Sequence, residues 1–183
     1  SSGNMYNQSL VSSLISNNGV AETEAWAHRF VGNFARKPEG NDRAQIMAVA
    51  NGEADIAIAN SYYIGLMLSG KKGDEQRAAA RKVNLHFPSQ AGRGAHINVS
   101  GVGLMKNSPN KANAVKFIEF LLSDKAQEHI VNNTYEYPLS ANVAPSDLIA
   151  QFGTGFKEDQ TSVADYGKFN PEAVKLMDRV GWQ

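Results

Sequence analysis

Apolar residues along the chain fall into alternating helical and extended patterns. Leu10, Val11, Leu14 and Ile15 recur at helical spacing, and Asn17-Asn18-Gly19 supplies a stop. Trp26, Phe30 and Phe34 mark a second amphipathic helix from about Ala21, ending near Lys37-Pro38-Glu39-Gly40. Asn41 or Asp42 opens a third, with Ile46, Val49 and Ala50 on one side and Asn51-Gly52 at its end. Ala54-Asp55-Ile56-Ala57-Ile58-Ala59 then reads as a short buried strand, and Asn60-Ser61 caps a helix that begins with Tyr62-Tyr63. In open α/β sheets, a helix that starts at the carboxyl end of a buried strand is where ligands sit.

The later segments repeat this alternation. Glu75–Arg81 is expected to form a helical turn or two, and Val83–Phe87 a strand halted by Pro88. Gly92-Arg93-Gly94 looks like a hinge or crossover, followed by strand segments 95–100 and 102–105. Ser108-Pro109 begins a helix that buries Val115, Ile118, Leu121 and Leu122, and Ser123-Asp124 begins another. Tyr135–Leu139 is extended ahead of Pro138, and a short helix carries Leu148 and Ile149. Asn170-Pro171 is expected to cap a final helix bearing Val174, Met177 and Val180. The pattern as a whole predicts a helix-rich α/β fold interrupted in its middle.

Composition narrows the chemistry. The 183 residues carry 18 Lys+Arg against 18 Asp+Glu, which gives no basic field for nucleic acid and no polybasic membrane anchor. With no cysteine, disulfides, Cys-ligated zinc, iron–sulfur clusters and thiol catalysis are excluded. No apolar run reaches the ~18 residues of a membrane span. The chain opens on Ser1-Ser2-Gly3, without Met and without a signal-peptide pattern.

His28, His86, His96 and His129 have neither i, i+4 nor H-x-H spacing, so there is no zinc signature. No G-x-S-x-G elbow is present, and Gly101-Val102-Gly103 is too short for a dinucleotide fingerprint. Asp55 reads as a satisfied polar group inside the buried run. The tyrosines stand out more. Tyr62 and Tyr63 are adjacent, so within a helix one ring would face the core and the other the surface. In a first turn, by contrast, both can approach one point. Tyr6, near another helix start, reads by itself as a partly exposed residue of the capping region. Were all three to converge, the site would suit a hard, highly charged cation. A phenol with a pKa of about 10 ionises at neutral pH only with such help, and three phenolates balance the charge of Fe(III).

Four stretches resemble the ferric-iron-binding substrate-binding proteins of bacterial and cyanobacterial ABC transporters. They are Gly52–Tyr63, Ser1–Leu10, Gly92–Gly101 and Tyr135–Leu139. The first, with its paired tyrosines, is the specific one, and the likeness runs over essentially the whole chain. The resemblance implies that Tyr62 and Tyr63 are tandem iron ligands and Tyr6 a third. Ser2 and Asn60, with Asn41 behind them, are implied contacts for a synergistic anion such as carbonate or phosphate.

It further implies a type II periplasmic-binding-protein-like α/β fold, mostly the second lobe plus the returning part of the first. Residues 1–92 would be the second-lobe core, 93–143 the return to the first lobe, and 144–183 helices packing back on the second. Family members are much longer. The amino-terminal part of the first lobe, which usually adds a tyrosine or histidine to the metal, has no counterpart here. The implied role is non-enzymatic: a periplasmic, monomeric protein that holds Fe(III) between its lobes and passes it to an ABC-transporter permease. Two rivals remain, a solute-binding protein for a small anion or organic ligand and an α/β enzyme with a catalytic tyrosine. The tyrosine neighbourhood offers the second rival no adjacent lysine.

Overall fold

The computed structural model describes all of residues 1–183 and contains eight helices. They are α1 (Met5–Gly32), α2 (Asp42–Ala50), α3 (Ser61–Leu68), α4 (Asp74–Ala80), α5 (Lys111–Leu121), α6 (Asp124–Thr134), α7 (Asp147–Ala150) and α8 (Val163–Arg179). The chain divides into two units. Unit 1 comprises Ser1–Glu39, Phe87–Asn98 and Phe156–Gln183, and unit 2 comprises Gly40–His86 and Val99–Gly155.

In unit 1 the stop expected at Gly19 is a break inside α1, where Gly19 leaves helical geometry at φ 79° and ψ 167°. A β-carbon disfavours such a conformation, and glycine adopts it without penalty. α8 packs along α1, and Val11, Ile15, Ala27, Ala173, Leu176 and Met177 form a buried core between them. The aromatics close one end of this core. Trp26 stacks on Phe30 at 5.1 Å, and Trp182 lies 4.9 Å from Phe30. Arg179 grips both carboxylate oxygens of Glu24, at 3.0 and 2.8 Å, in the planar two-pronged geometry that guanidinium favours.

The last helix starts earlier than the sequence suggested. Ser162 caps it and Pro171 sits inside it, so Asn170-Pro171 is not its start. A proline within a helix removes one backbone donor and costs about 3 kcal/mol. The buried stripe of Tyr166, Ala173, Leu176 and Met177, which spans the proline, offsets that cost.

Unit 2 gathers α2, α3, α4 and α7 around Ile46, Ile64, Met67, Ala79, Ala80, Tyr135 and Ile149. The expected strands are not formed. The chain has no β-ladder, only one isolated parallel bridge between Ala95 and Glu158, with hydrogen bonds from Ala95 N to Lys157 O and from Asp159 N to Ala95 O, each 2.8 Å. Gly94 permits that approach, since a β-carbon on it would lie 2.5 Å from the Glu158 carbonyl carbon. The Gly92-Arg93-Gly94 stretch therefore lies within unit 1, docked on residues 157–159.

Segments 54–59, 83–87 and 102–105 are neither helix nor paired strand. The physical reason is pairing. An extended segment becomes a strand only when a neighbour satisfies its backbone, and no backbone hydrogen bond joins 54–59 or 99–104 to any other segment. Residues 54–59 are also not buried as expected: Ile56 is 86% exposed, and Asp55 is exposed rather than a satisfied interior group.

Candidate functional site

In unit 2 the paired tyrosines open α3. Asp42, in the first turn of α2, accepts from both the backbone N–H (2.8 Å) and the side-chain Nδ2 (3.0 Å) of Asn60, fixing the point where α3 begins. The Tyr63 N–H donates to the Asn60 carbonyl at 3.1 Å. In this first turn the Tyr62 and Tyr63 rings converge, with centroids 4.4 Å apart and planes tilted by 36°. Both are half-buried against the unit 2 core.

Three other tyrosines have partners of their own. Tyr135 is 4% exposed and lies against Gly65 of α3, with the Lys71 ammonium 5.1 Å above its ring. Burial pushes its phenol upward, but hydrogen bonds with Ser69 and Lys71 and the lysine charge outweigh that and hold it below the ordinary value. Tyr137 donates its hydroxyl to the Gly153 carbonyl at 2.9 Å, and burial pushes its pKa up to about 12. In unit 1 Tyr166 donates to the Ile97 carbonyl at 3.3 Å, and burial raises its pKa as well. A phenol raised in this way keeps its proton, so Tyr137 and Tyr166 act as hydrogen-bond donors rather than anionic oxygens.

Tyr6 lies in the first turn of α1 in unit 1. The Asn4 side-chain oxygen caps this helix, accepting from the N–H groups of Tyr6 (2.9 Å) and Asn7 (3.2 Å). One turn on, the Ser9 hydroxyl sits 2.9 Å from the Tyr6 carbonyl, 2.6 Å from Asn98 Oδ1 and 3.3 Å from His96 Nε2. The stretch expected to supply anion contacts is anchored through its backbone: Ser2 N donates to the Trp182 carbonyl at 2.8 Å, and Gln8 Nε2 donates to the Ser2 carbonyl at 2.7 Å.

Of the residues singled out from sequence, Tyr62, Tyr63 and Asn60 come together at the start of α3. Asn41 instead caps α2, accepting from Ala44 N at 3.2 Å, and Ser2 and Tyr6 belong to unit 1. Sequence reading placed Asp42 only as a possible helix start and missed its hold on Asn60. A polar cavity of about 370 Å³ in unit 1, lined by Ser16, Asn17, Arg93, Asp159, Thr161 and Asp165 among others, contains none of the expected ligands. No group of three or more His, Asp or Glu side chains is arranged to hold a metal ion.

Comparison with known proteins gives this arrangement a family. The model of the bacterial extracellular solute-binding proteins matches residues 14–128. The chain belongs to that family. Among curated members, iron uptake protein A1 of Synechocystis sp. is 51% identical over the whole chain, which covers 50% of its length. The major ferric iron-binding protein of Neisseria meningitidis is 36% identical over 58% of the chain and 31% of its own length.

Among solved solute-binding structures, a Trichodesmium FutA (IdiA) described as in complex with iron and citrate ligands is 52% identical, with a TM-score of 0.96. This chain covers 57% of it. Apo FutA2 from Synechocystis is 43% identical with a TM-score of 0.92, and 58% of it is covered. The chain thus spans about half the length of the curated relatives that it matches along its whole extent. No helix is long and apolar enough to cross a membrane.

Proposed function

We propose that this solute-binding chain carries the tyrosine donors of a periplasmic ferric-iron-binding protein that delivers Fe(III) to an ABC-transporter permease and catalyses no reaction. The observation that carries the reading is the pair of phenol rings 4.4 Å apart at the head of α3, in a chain about half identical to an iron uptake protein. Tyr62 and Tyr63 are the first two phenolate ligands, and Tyr6 of unit 1 is the third. Phenolate oxygens are hard, anionic ligands, so a site built from them favours Fe(III) over divalent ions.

A small oxyanion such as carbonate or phosphate, or a carboxylate ligand like the citrate bound by the Trichodesmium protein, completes the coordination. Ser2, Asn60 and Asn41 are its proposed contacts. The Asn60 side-chain amide already donates to the Asp42 carboxylate at 3.0 Å, which holds it in place at the head of α3. Ferric iron is cargo, and the working form is a monomer.

The test is a visible-absorption titration of the chain with ferric citrate. Iron–phenolate charge transfer gives a coloured complex that weakens in Tyr62→Phe, in Tyr63→Phe and, to a lesser extent, in Tyr6→Phe. A colourless titration, or one unchanged in the first two variants, overturns the assignment.

A further inference from the structure

The two helices that open with the proposed ligands start in different ways. At α1, Asn4 behaves as a capping residue, its side-chain oxygen accepting from the Tyr6 and Asn7 N–H groups. Asn60 stands at the same place before α3, with extended backbone (φ −74°, ψ 136°), yet its side chain makes no capping hydrogen bond to that helix. Such a cap is worth about 1 kcal/mol, and here it is forgone. The Asn60 amide is turned instead to Asp42, eighteen residues back in the first turn of α2. Local sequence rules give way in this manner at functional sites. Both hydrogen bonds end on one atom, since the Asn60 backbone N–H and Nδ2 lie 2.8 and 3.0 Å from Asp42 Oδ1. Two donors on one charged acceptor fix the path of the incoming chain as well as the rotation of the side chain.

The consequence falls on Tyr62 and Tyr63, the second and third residues of α3. Successive residues of a regular helix point about 100° apart, so a helix begun one residue earlier or later would part the two rings. Their approach to 4.4 Å depends on α3 starting where Asn60 is held. The hold is firmly based. Asn41 caps α2 by accepting from the Ala44 N–H, the carboxylate lies at the positive end of that helix, and Ile46 and Ala48 of α2 are buried. We propose that Asp42 is a positioning residue for the tyrosine pair, acting through Asn60 to hold both phenol oxygens where one hard cation reaches them. This rests on the reading of the pair as Fe(III) ligands. Asp42 acts from behind the site, where loss of an orienting group costs about 10–100-fold in metal affinity.

Two substitutions test it. Asp42→Ala removes the acceptor, whereas Asp42→Asn keeps an oxygen that can accept both N–H groups and removes the charge. Without iron, NMR spectra of the chain with isotope-labelled tyrosine rings read the ring-current shifts that Tyr62 and Tyr63 impose on each other. With ferric citrate, the charge-transfer band reads affinity, and its maximum reads phenolate coordination. Asp42→Ala is expected to lose the mutual ring shifts, to bind ferric iron about tenfold or more weakly and to displace the absorption maximum. Asp42→Asn is expected to restore the ring shifts, and affinity to within about threefold. A role in stability alone would lower the urea midpoint while leaving ring shifts and maximum in place, and that result overturns the proposal. Equal losses in the two variants overturn it too, because charge rather than hydrogen bonding would then be at work. Should Asp42→Ala lose helical signal, Asn60→Asp, which sets two carboxylates against each other, is expected to lose the ring shifts, and their persistence there is equally fatal. A wild-type chain that stays colourless with iron defeats the reading of the pair as ligands, and the iron-free ring shifts still decide whether Asp42 holds the pair together.

Discussion

Gly65 sets how closely α3 lies against Tyr135, and Gly65→Ala tests that packing. A methyl group there would fall 2.7 Å from Tyr135 Cβ, 2.9 Å from Ile149 Cδ1 and 3.0 Å from Tyr135 Cγ. Ile149 Cδ1 can rotate aside. Tyr135 Cβ is fixed to a backbone held at φ 65° at the end of α6, and its ring is 4% exposed, so that contact is relieved only if α3 moves. Alanine gains about 1 kcal/mol over glycine within a helix. Overpacking a core costs about 1–3 kcal/mol, and contact with backbone-fixed atoms puts this case in the upper half of that range. The net expectation is a destabilisation of about 1–2 kcal/mol.

Urea unfolding followed by far-ultraviolet circular dichroism reads this as a midpoint lower by about 0.5–1 M, given slopes of about 2 kcal/mol per molar. The displaced α3 carries the tyrosine pair with it, so ferric colour should weaken as well. Gly167→Ala is the matched control: it lies inside α8 with no atom within 4 Å of the added carbon, and is expected to stabilise by about 0.4–1 kcal/mol. If Gly65→Ala is as stable as Gly167→Ala, the close approach of Tyr135 is not what the glycine serves.

Tyr137→Phe removes the hydrogen bond to Gly153 and should cost about 1 kcal/mol in urea unfolding while leaving the ferric colour intact; a loss of colour would place that phenol among the ligands. Burial, helped by the Arg93 charge, holds the His96 imidazole below its ordinary value of 6.5, against the opposing effects of Asn98 and Asp159. The unfolded chain therefore binds more protons between pH 6.5 and the lower folded value, so stability is complete above 6.5 and falls as the pH drops through that window. His96→Gln should flatten the decline in urea midpoint, and an unchanged slope would refute the assignment. Asp159 is 3% exposed and accepts from Ser13 (2.9 Å) and from the Thr161 backbone and hydroxyl (3.0 and 2.6 Å), with Arg93 at 3.4 Å. Asp159→Asn leaves that guanidinium without its carboxylate and should cost about 2–3 kcal/mol by urea unfolding, and a neutral result would mean that the network contributes nothing.

What could be read from sequence were the features written in local chemistry. Asn41 and Ser123 cap helices as their side chains suggested, and Gly19 breaks α1 where the Asn-Asn-Gly run predicted a stop. The tyrosine pair was also legible, because Asn60-Ser61 announced the helix start that lets both rings lean together. What failed depended on distant partners. Ile56 and Ile58 alternate as a strand residue should, yet no local pattern supplies the second backbone that would make them one. Pro171 read as a helix start because its lost hydrogen bond is local, while the packing against α1 that carries α8 through it is not. The grip of Asp42 on Asn60 went unread for the same reason, since it spans α2 and the start of α3.

Both tryptophans belong to unit 1, Trp182 within its buried core and Trp26 packed against it, whereas Tyr62, Tyr63, Tyr135 and Tyr137 all belong to unit 2. Indole emission is therefore a private signal of one unit, and the other can be followed only through its tyrosines and helices. Melting the protein while watching both signals asks directly whether the two units share one cooperative transition. Coincident curves would mean that strain at the tyrosine pair is felt in the α1–α8 core, and separated curves would make unit 2 a body that can loosen while unit 1 stays folded.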